Sequence, residues 1–396
     1  MKVLQINSVY EKGSTGKIVK DCEDLFKEYG IETYVITGQD KFDSPNVFVT
    51  NTPFSLKWSI LMTRLFGRHG FYNKRATRKA LRFIDSVSPD VVNLQNIHGH
   101  YINIEILFKY LKEKNIPVVW TLHDCWSFTG HCSHFDYIGC DGWKNGCGNC
   151  PQRRKYPDSW FFDRSKRNLK DKREIFTSLE KMHVVTPSNW LTNLARQSFL
   201  GKYPVTTIHN GIDTESFRPR ESDLRKKLGL EDKFIYLGIV SSFKGTKGGR
   251  HFLELSKMLK DDEHIVLLSL ADKDVTIPDN ITVLPATNSR EELSLVYSMA
   301  DVFINPTMQD TFSMINVEAL ACGVPVVTFR TGGCSESLTE ECGIVVPKGD
   351  TKALYEAAQQ VKKGKIKREF CRQRGLEFDR KVRFKEYIDI YKELLN

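Results

Sequence analysis

The sequence predicts an α/β protein with two doubly wound parallel sheets. Short apolar segments of strand length alternate with helical segments, and this alternation occurs once in each half of the chain. Strands that are apolar throughout are typical of parallel sheets covered by helices on both faces. The length of 396 residues allows two domains at roughly 100–200 residues each. We therefore expect two such domains, with ligands bound at the carboxyl ends of the strands.

The first series of predicted strands lies before residue 210. Its members are Lys2–Asn7, Thr33–Thr37, Val91–Gln95, Val118–His123, His183–Thr186 and Val205–Ile208. Helical segments between them include Lys17–Tyr29 and Ile104–Asn115. A domain boundary is expected near Leu200–Asp213, where Pro204 and the Asn210-Gly211 turn interrupt the pattern.

The second series shows the same alternation of strands and helices. Its predicted strands are Phe234–Ser241, Ile265–Leu270, Ile281–Leu284, Val302–Asn305, Val326–Phe329 and Ile344–Val346. The chain ends in a predicted helix, Val382–Asn396, with apolar residues along one face. The predicted organisation is a domain at 1–204 with a cysteine-rich insert at 125–150, a second domain at 205–375, and a terminal helical segment at 376–396 that returns to the first domain.

Composition excludes several classes of protein. The chain is 40% hydrophobic and 27% charged, which is typical of globular proteins rather than disordered or fibrous ones. Its apolar runs are far shorter than the ~18 residues of a membrane span, and the first residues do not form a signal peptide. We therefore expect a cytoplasmic location, where thiols stay reduced.

The loop after the first predicted strand, residues 8–17, contains Gly13 and Gly16 and opens a helix. Backbone N–H groups at such a helix start can bind a phosphate. The loop is not a Walker P-loop, because Glu11 and Ile18 stand where that motif requires Gly and Ser or Thr. A plain tight turn between strand and helix remains the alternative.

Residues 305–336 carry the most informative pattern. A predicted strand ends at Asn305, a polar loop follows, and a helix begins near Ser313. Asp310 before the helix and Glu318 in its second turn form a carboxylate pair that can hold vicinal hydroxyls, and the N–H groups from Phe312 to Asn316 can meet a phosphate. Sugar hydroxyls with a diphosphate describe a nucleotide sugar. A capping Asp with a solvated Glu is the alternative.

This segment resembles glycosyltransferase family 4. The stretch Asp310–Val327 resembles the acidic-x7-Glu signature of that family, and Glu318-Ala-Leu-Ala-Cys-Gly-Val-Pro-Val-Val327 matches its second half fully. Asn210-Gly-Ile-Asp213, Lys247-Gly248 and Gly332-Gly333-x-x-Glu336 agree as well. The resemblance covers essentially the whole chain. In the first half, Asn96-Ile-His-Gly99 and His123-Asp-Cys-Trp126 are most similar to the bacterial exopolysaccharide branch, which includes colanic-acid-type transferases.

The resemblance implies a role for each matching residue. Glu318 would bind the ribose of the donor, and Asp310 would contact donor-sugar hydroxyls. His123 would orient the sugar. Lys247 would neutralise the departing diphosphate, whose charge grows in the transition state. The remaining donor contacts would come from Lys244, Gly13, Gly16, Phe312, Ser313 and Met314.

Two positions depart from the family pattern. Ser241 and Ser242 occupy the stretch where the family carries an Arg, and we expect Lys244 to supply the charge. Ser313 replaces the usual Gly after Phe312. His98 has two open interpretations, a contact to the acceptor or a hydrogen bond within its own loop.

The resemblance also implies the GT-B fold and a retaining transfer from a UDP- or GDP-sugar, without a catalytic metal. The expected acceptor is a lipid-diphosphate-linked glycan of exopolysaccharide, capsule or O-antigen synthesis. An epimerase on the same fold is the enzymatic alternative. A zinc-stapled nucleic-acid-binding protein is the alternative from another class, but it leaves Asp310 and Glu318 without a purpose, so we expect no nucleic-acid partner.

Half of the ten cysteines lie within residues 125–150. The Cys147-x2-Cys150 spacing lets two thiolates reach one tetrahedral ion. A structural Zn²⁺ held by Cys132, Cys140, Cys147 and Cys150 is the preferred interpretation, and disulfides or inert thiols are the alternatives. The insert follows the strand that ends at His123, so it is placed to shape the acceptor site.

Basic residues concentrate in two first-half stretches. Residues 54–83 contain eight Lys or Arg and no acid, and residues 153–173 contain nine basic and three acidic side chains. Both stretches also contain aromatic residues. This composition suits an anionic bilayer surface, and ordinary helix packing with solvated charges is the alternative. We expect peripheral association with the inner face of the membrane.

Overall fold

A computed structural model describes residues 1–38, 42, 44–243, 245–269 and 275–396. The chain divides into two compact units. The first unit contains residues 1–209 and 383–396, and the second unit contains residues 210–382. The domain limits predicted from the sequence, 204/205 and 375/376, stay a prediction.

The first unit alternates strands and helices. Its elements in chain order are β1 (Lys2–Asn7), α1 (Gly13–Glu28), β2 (Glu32–Thr37), β3 (Val47–Val49), α2 (Pro53–Phe66), α3 (Lys74–Val87), β4 (Val91–Leu94), α4 (Ile104–Glu113), β5 (Val118–Thr121), α5 (Gly142–Asn145), α6 (Ser165–Phe176), β6 (Met182–Thr186), α7 (Asn189–Gln197) and β7 (Val205–Thr207). The seven strands form one sheet in the order β3-β2-β1-β4-β5-β6-β7, and every neighbouring pair is parallel.

Both faces of this sheet are buried. Successive residues of a strand point to opposite faces, and in β1 Val3 packs with Ile18 and Phe26 of α1, whereas Leu4 packs with residues such as Phe108. Burial on both faces explains why the strands are apolar throughout.

The second unit repeats this architecture. Its elements are α8 (Leu224–Leu228), β8 (Phe234–Val240), α9 (Gly249–Leu255), β9 (Glu263–Ser269), β10 (Ile281–Pro285), α10 (Arg290–Ser298), β11 (Val302–Asn305), α11 (Met314–Ala321), β12 (Val326–Phe329), β13 (Gly343–Val346), α12 (Thr351–Lys362) and α13 (Arg368–Leu376). Six strands form a sheet in the order β10-β9-β8-β11-β12-β13, again with parallel neighbours.

The strand order reverses at one point in each sheet, between β1 and β4 and between β8 and β11. Loops on either side of such a switch point diverge and leave a crevice at the carboxyl ends of the strands. The fold therefore places a candidate binding position after β8 and β11, and another after β1 and β4.

The chain closes by returning to the first unit. A short helix, α14 (Arg380–Arg383), precedes the last helix, α15 (Lys385–Leu395). Tyr387, Ile388 and Tyr391 of α15 are buried with Val3 and Val91 of the first sheet. This confirms the predicted return of the terminal helix, because its apolar face completes one side of that sheet.

No helix in the described ranges combines the length and the apolar composition needed to cross a membrane.

Candidate functional site

The switch point of the second unit brings two loops into contact. The Met308 N–H donates to the Thr246 carbonyl over 2.8 Å, which joins the loop after β11 to the loop after β8. Gly248 has a φ of +83°, and a Cβ at this position would lie 2.1 Å from the Pro306 carbonyl oxygen. Only glycine therefore fits, because the backbones pass too close for any side chain.

These loops bring together two residues that the sequence predicts for the site. Lys247 Nζ lies 3.1 Å from Asp310 Oδ2, although the two residues are far apart in the chain. The Lys247 side chain is half exposed, so its ammonium group is accessible to a ligand. Lys244, the other predicted cation, lies outside the described residues.

A buried amide network holds the loop that follows Asp310. The Asn305 amide donates to Ser313 Oγ and to Asn316 Oδ1, both over 2.8 Å. The Asn316 amide donates in turn to the Cys334 carbonyl over 3.2 Å. The three side chains at the centre of this network, those of Asn305, Ser313 and Asn316, are buried. The start of α11 is therefore held rigidly.

Helix α11 presents its N-terminus at this loop. Its first-turn N–H groups have no acceptor within the helix, and Ser313 at the N-cap uses its Oγ to accept from Asn305. The first turn contains no acidic residue. This end of the helix therefore favours an anion such as phosphate.

The predicted contacts Phe312, Ser313 and Met314 surround this helix start. The Phe312 ring is buried and lies 5.8 Å from the Phe378 ring, and Met314 packs against the same core. Their side chains anchor the loop, which leaves the backbone N–H groups as the atoms suited to contact a ligand.

Glu318 lies in the second turn of α11 and is partly buried. Its Oε2 accepts a hydrogen bond from Tyr297 Oη over 2.8 Å. Burial and the nearby Glu318 carboxylate raise the pKa of Tyr297 well above its usual range, so the phenol remains a donor. Tyr297 thus orients Glu318, a support that motif spacing does not reveal.

Thr331, in the glycine loop after β12, is a further residue that the sequence analysis did not single out. It is 2% exposed, and its Oγ1 has no hydrogen-bond partner among the described residues. A buried hydroxyl without a hydrogen-bond partner is uncommon. The sequence signal for Thr331 is its position directly before Gly332-Gly333.

In the first unit, His123 follows β5 and is oriented by a chain of hydrogen bonds through two glutamine side chains. His123 Nε2 lies 2.7 Å from Gln95 Oε1, Gln95 Nε2 donates to Gln5 Oε1 over 3.2 Å, and Gln5 donates to the Val19 carbonyl. Burial lowers the pKa of His123 to about 4 despite the opposing effect of Asp124. The imidazole is therefore neutral at pH 7.

The loop after β1 folds tightly against α1. The Glu11 N–H donates to the Gly16 carbonyl over 3.1 Å, and a Cβ at Gly16 would lie 3.2 Å from the Glu11 nitrogen. Gly13 has a φ of +64°. The turn itself therefore favours glycine at both predicted positions, which agrees with the alternative that the sequence left open.

The four predicted metal ligands line one cavity of about 30 Å³, together with His131, Trp143 and Ser165. Burial raises the pKa of Cys132 to about 12 and that of Cys150 to about 11, so these thiols are not activated nucleophiles. Within the described part of the chain, however, no three or more His, Cys, Asp or Glu side chains are arranged to hold a metal ion.

Two family models match the chain in succession. Residues 22–216 match the model described as "Glycosyltransferase Family 4", and residues 220–378 match "Glycosyl transferases group 1".

Curated relatives agree. The chain is 24% identical to "Putative colanic acid biosynthesis glycosyl transferase WcaC" of Escherichia coli (strain K12), over 100% of both chains. It is 31% identical to "D-inositol 3-phosphate glycosyltransferase" of Mycobacterium sp. (strain KMS), over 33% of this chain and 32% of that protein.

Solved structures share the fold. Sucrose-phosphate synthase from Thermosynechococcus elongatus superimposes with a TM-score of 0.72 at 15% identity, covering 99% of this chain and 98% of the other. Anabaena Alr3699/HepE in complex with UDP-glucose gives a TM-score of 0.66 at 14% identity, covering 100% and 98%. The predicted fold class is confirmed: both units are Rossmann-like domains of a GT-B protein. The chain belongs to glycosyltransferase family 4, and it is a glycosyltransferase.

Proposed function

We propose that this enzyme binds a UDP- or GDP-sugar in its second unit and transfers the sugar to a glycan acceptor. The observation that carries this proposal is the ion pair between Lys247 and Asp310 in the second unit. The same unit carries a second carboxylate, Glu318 of α11. An ammonium group and a helix N-terminus suit a diphosphate, and carboxylates suit sugar hydroxyls. The solved Anabaena complex with UDP-glucose supports the donor class.

In the proposed reaction, an acceptor hydroxyl forms a bond to the anomeric carbon while the bond from that carbon to the donor phosphate breaks. The departing phosphate oxygen takes the hydroxyl proton, and the anomeric configuration is retained. Lys247 stabilises the growing charge on the diphosphate. In the free enzyme the Lys247 ammonium group pairs with the Asp310 carboxylate. Donor binding therefore replaces that carboxylate by the diphosphate as the partner of Lys247.

Thermal unfolding with UDP-, GDP-, ADP- and TDP-sugars tests the donor site, because a ligand that binds only the folded state raises its stability. We expect one nucleotide class to raise the Tm, and Glu318→Ala to abolish that rise. Glu340→Ala is the matched control, since Glu340 is an exposed carboxylate in the same unit. An unchanged Tm rise in Glu318→Ala would overturn the proposal.

The acceptor belongs to exopolysaccharide, capsule or O-antigen synthesis and is lipid-linked in this proposal. The full-length similarity to a protein named for colanic acid biosynthesis supports the pathway class. Helix α2 supports peripheral membrane binding. Its large apolar side chains point outward, with Phe54 78% and Trp58 51% exposed, and only Ser59 and Thr63 are buried.

Basic and aromatic groups adjoin α2. The Phe66 and Phe162 rings stack 6.5 Å apart, and the Arg64 guanidinium lies 5.6 Å from the Trp160 ring centre. Exposed aromatic rings beside arginines suit the headgroup region of an anionic bilayer.

Sedimentation with phosphatidylglycerol vesicles tests this surface. We expect salt-sensitive binding that the double variant Phe54→Ser/Trp58→Ser loses and Phe370→Ser keeps, because Phe370 is an exposed aromatic residue in the second unit. Equal binding by all three proteins would contradict membrane docking through α2.

We further propose a structural Zn²⁺ at Cys132, Cys140, Cys147 and Cys150. Their shared cavity supports this, as does the buried His131 Nε2, which has no hydrogen-bond partner among the residues described. Elemental analysis should find about one zinc per chain, lost in Cys147→Ser/Cys150→Ser and kept in Cys371→Ala. A metal-free wild-type protein that folds normally would rule the zinc out.

A further inference from the structure

A second group of polar side chains lies after neighbouring strands of the first sheet. His98 follows β4 and Asp124 follows β5, and these strands pair directly. His98 Nε2 lies 2.8 Å from Asp124 Oδ2, and His98 Nδ1 lies 3.0 Å from Tyr156 Oη. Three residues that are distant in the sequence thus form one hydrogen-bonded chain.

The direction of each hydrogen bond follows from Asp124. Burial raises its pKa, but the interactions with His98 outweigh that effect and hold the pKa at about 2. The carboxylate is therefore ionised and can only accept. Its Oδ1 accepts from the Trp126 N–H over 2.8 Å, which leaves Oδ2 to accept from His98 Nε2–H.

The tautomer of His98 then fixes the role of Tyr156. An imidazole that carries its single proton on Nε2 has Nδ1 as an acceptor, so in this tautomer the Tyr156 hydroxyl donates to Nδ1. A phenol whose proton is used in this way offers its oxygen lone pairs to another donor. Tyr156 is 46% exposed, so a ligand hydroxyl can reach it.

The surroundings of this chain are rigid and aromatic. The His69 ring lies 5.5 Å from both the Trp126 and the Tyr156 rings, with edge-to-face geometry. His98 and Asp124 also line a small cavity of about 10 Å³ that contains His123 and Ser127. Ser127 is 3% exposed, and its Oγ lacks a partner within the described ranges.

We propose that Tyr156, His98 and Asp124 form a binding site for a hydroxyl of the acceptor sugar. Tyr156 Oη accepts a hydrogen bond from that hydroxyl, and the His98–Asp124 pair acts as a positioning element that keeps Tyr156 in the accepting role. The proposal rests on the proposed glycosyl transfer to a glycan, and it assigns the acceptor-binding group to residues outside the family motif in the second unit.

Asp124→Asn tests the positioning role without changing the size of the side chain. Asn retains an oxygen for the Trp126 N–H, but its amide donates to His98 and moves the imidazole proton to Nδ1. Tyr156 must then donate outward rather than accept. Long-range ¹H–¹⁵N NMR of His98 should report the Nε2–H tautomer in the wild type and the Nδ1–H tautomer in this variant.

Binding is measured on the same signals with methyl glucoside, galactoside and mannoside as probes, in the presence of the stabilising nucleotide. We expect at least one hexoside to shift the His98 resonances. Tyr156→Phe should weaken its affinity about tenfold, as expected for one lost hydrogen bond, and Asp124→Asn by a similar factor. Tyr137→Phe, which changes an exposed tyrosine of the cysteine-rich insert at 125–150, should bind like the wild type.

No shift with any hexoside, or equal affinity in Tyr156→Phe and the wild type, would overturn the proposal. Failure of the proposed function is distinguishable, because it would appear as the absence of any nucleotide-sugar effect on the Tm of the wild-type enzyme.

Discussion

The two units carry their candidate sites in different ways. In the second unit, Asp310 and Glu318 fall within the segment from β11 to β12 and Thr331 directly follows it, whereas Lys247 comes from the loop after β8. In the first unit, His98, Asp124 and Tyr156 come from three separate loops. The difference teaches that a short motif can specify the proposed donor site, whereas the proposed acceptor site is assembled by the topology of the sheet.

The supporting chemistry differs too. Neutral amides and hydroxyls hold the second site, with Asn305 and Asn316 at the centre. Histidines surround the first, since the buried His69 contacts His100 and the partly buried His123 lines the cavity beside His98. The first site should therefore respond to pH far more than the second.

Deleting residues 384–396 should have the largest effect and should fall on the first unit. It removes five buried side chains, those of Phe384, Tyr387, Ile388, Ile390 and Tyr391. At ~1.5–3 kcal/mol each, the loss is comparable with the ~5–15 kcal/mol that stabilises a domain. All six tryptophans lie in the first unit, so tryptophan fluorescence should lose its cooperative unfolding transition. Deleting only Leu395 and Asn396, which are exposed, is the control and should leave the transition in place.

Lys247→Ala tests whether Lys247 in the second unit stabilises the departing diphosphate. Loss of the cation beside Asp310 should lower kcat about 100-fold, because the departing diphosphate loses a charge partner. Steady-state kinetics with the donor identified by thermal unfolding measures this, and Lys257→Ala provides an exposed-lysine control in the same unit. A kcat within a few fold of the wild-type value would show that the leaving group is stabilised elsewhere.

Acid should unfold the first unit before the second. Burial lowers the pKa values of His100 and His123 to about 4, whereas unfolded histidine titrates near 6.5. The unfolded chain therefore binds more protons between those pH values, and stability is lost as the pH falls from about 6.5 to 4. The loss is on the order of 3 kcal/mol per histidine.

Tryptophan fluorescence follows the first unit during this titration, and far-UV circular dichroism follows both. His123→Gln should move the fluorescence midpoint to lower pH. Coincident acid midpoints by the two signals would contradict the expected difference between the units.

Asn316→Ala should give the smallest effect and should fall on the second unit. It removes hydrogen bonds to the Cys334 carbonyl and Ser337 Oγ and leaves the Asn305 amide short of one acceptor. We expect a loss of about 1–3 kcal/mol, measured by urea unfolding with circular dichroism. Gln360→Ala, at an exposed helical position, should change the unfolding free energy little, and equal effects of both changes would contradict the network's importance.

Much of the fold could be predicted from the sequence because the signals are local. Apolar strands such as Val326–Phe329 and the helix from about Ser313 have strong patterns, and α11 lies where it is predicted. Strand β3 has only three residues and is not buried, so its pattern is too weak to detect.

The rest depends on distant contacts. Sequence spacing cannot show that Tyr297 orients Glu318, or that Tyr156 reaches His98 across the insert. Helix α2 also escapes prediction, because large apolar side chains such as Phe54 and Trp58 are exposed whereas its fully buried residues are Ser59 and Thr63. Periodicity indicates that a helix is amphipathic, but it does not say which side is buried.

The return of α15 to the first unit has a consequence for synthesis. The Asn93 amide and the Thr121 hydroxyl of two central strands donate to Tyr391 and Tyr387, which are translated after the whole second unit. The part of the first sheet that α15 covers therefore stays exposed while the whole second unit is translated. The nascent chain must keep that apolar surface from aggregating until α15 emerges, so the domain that was begun first is completed after the second.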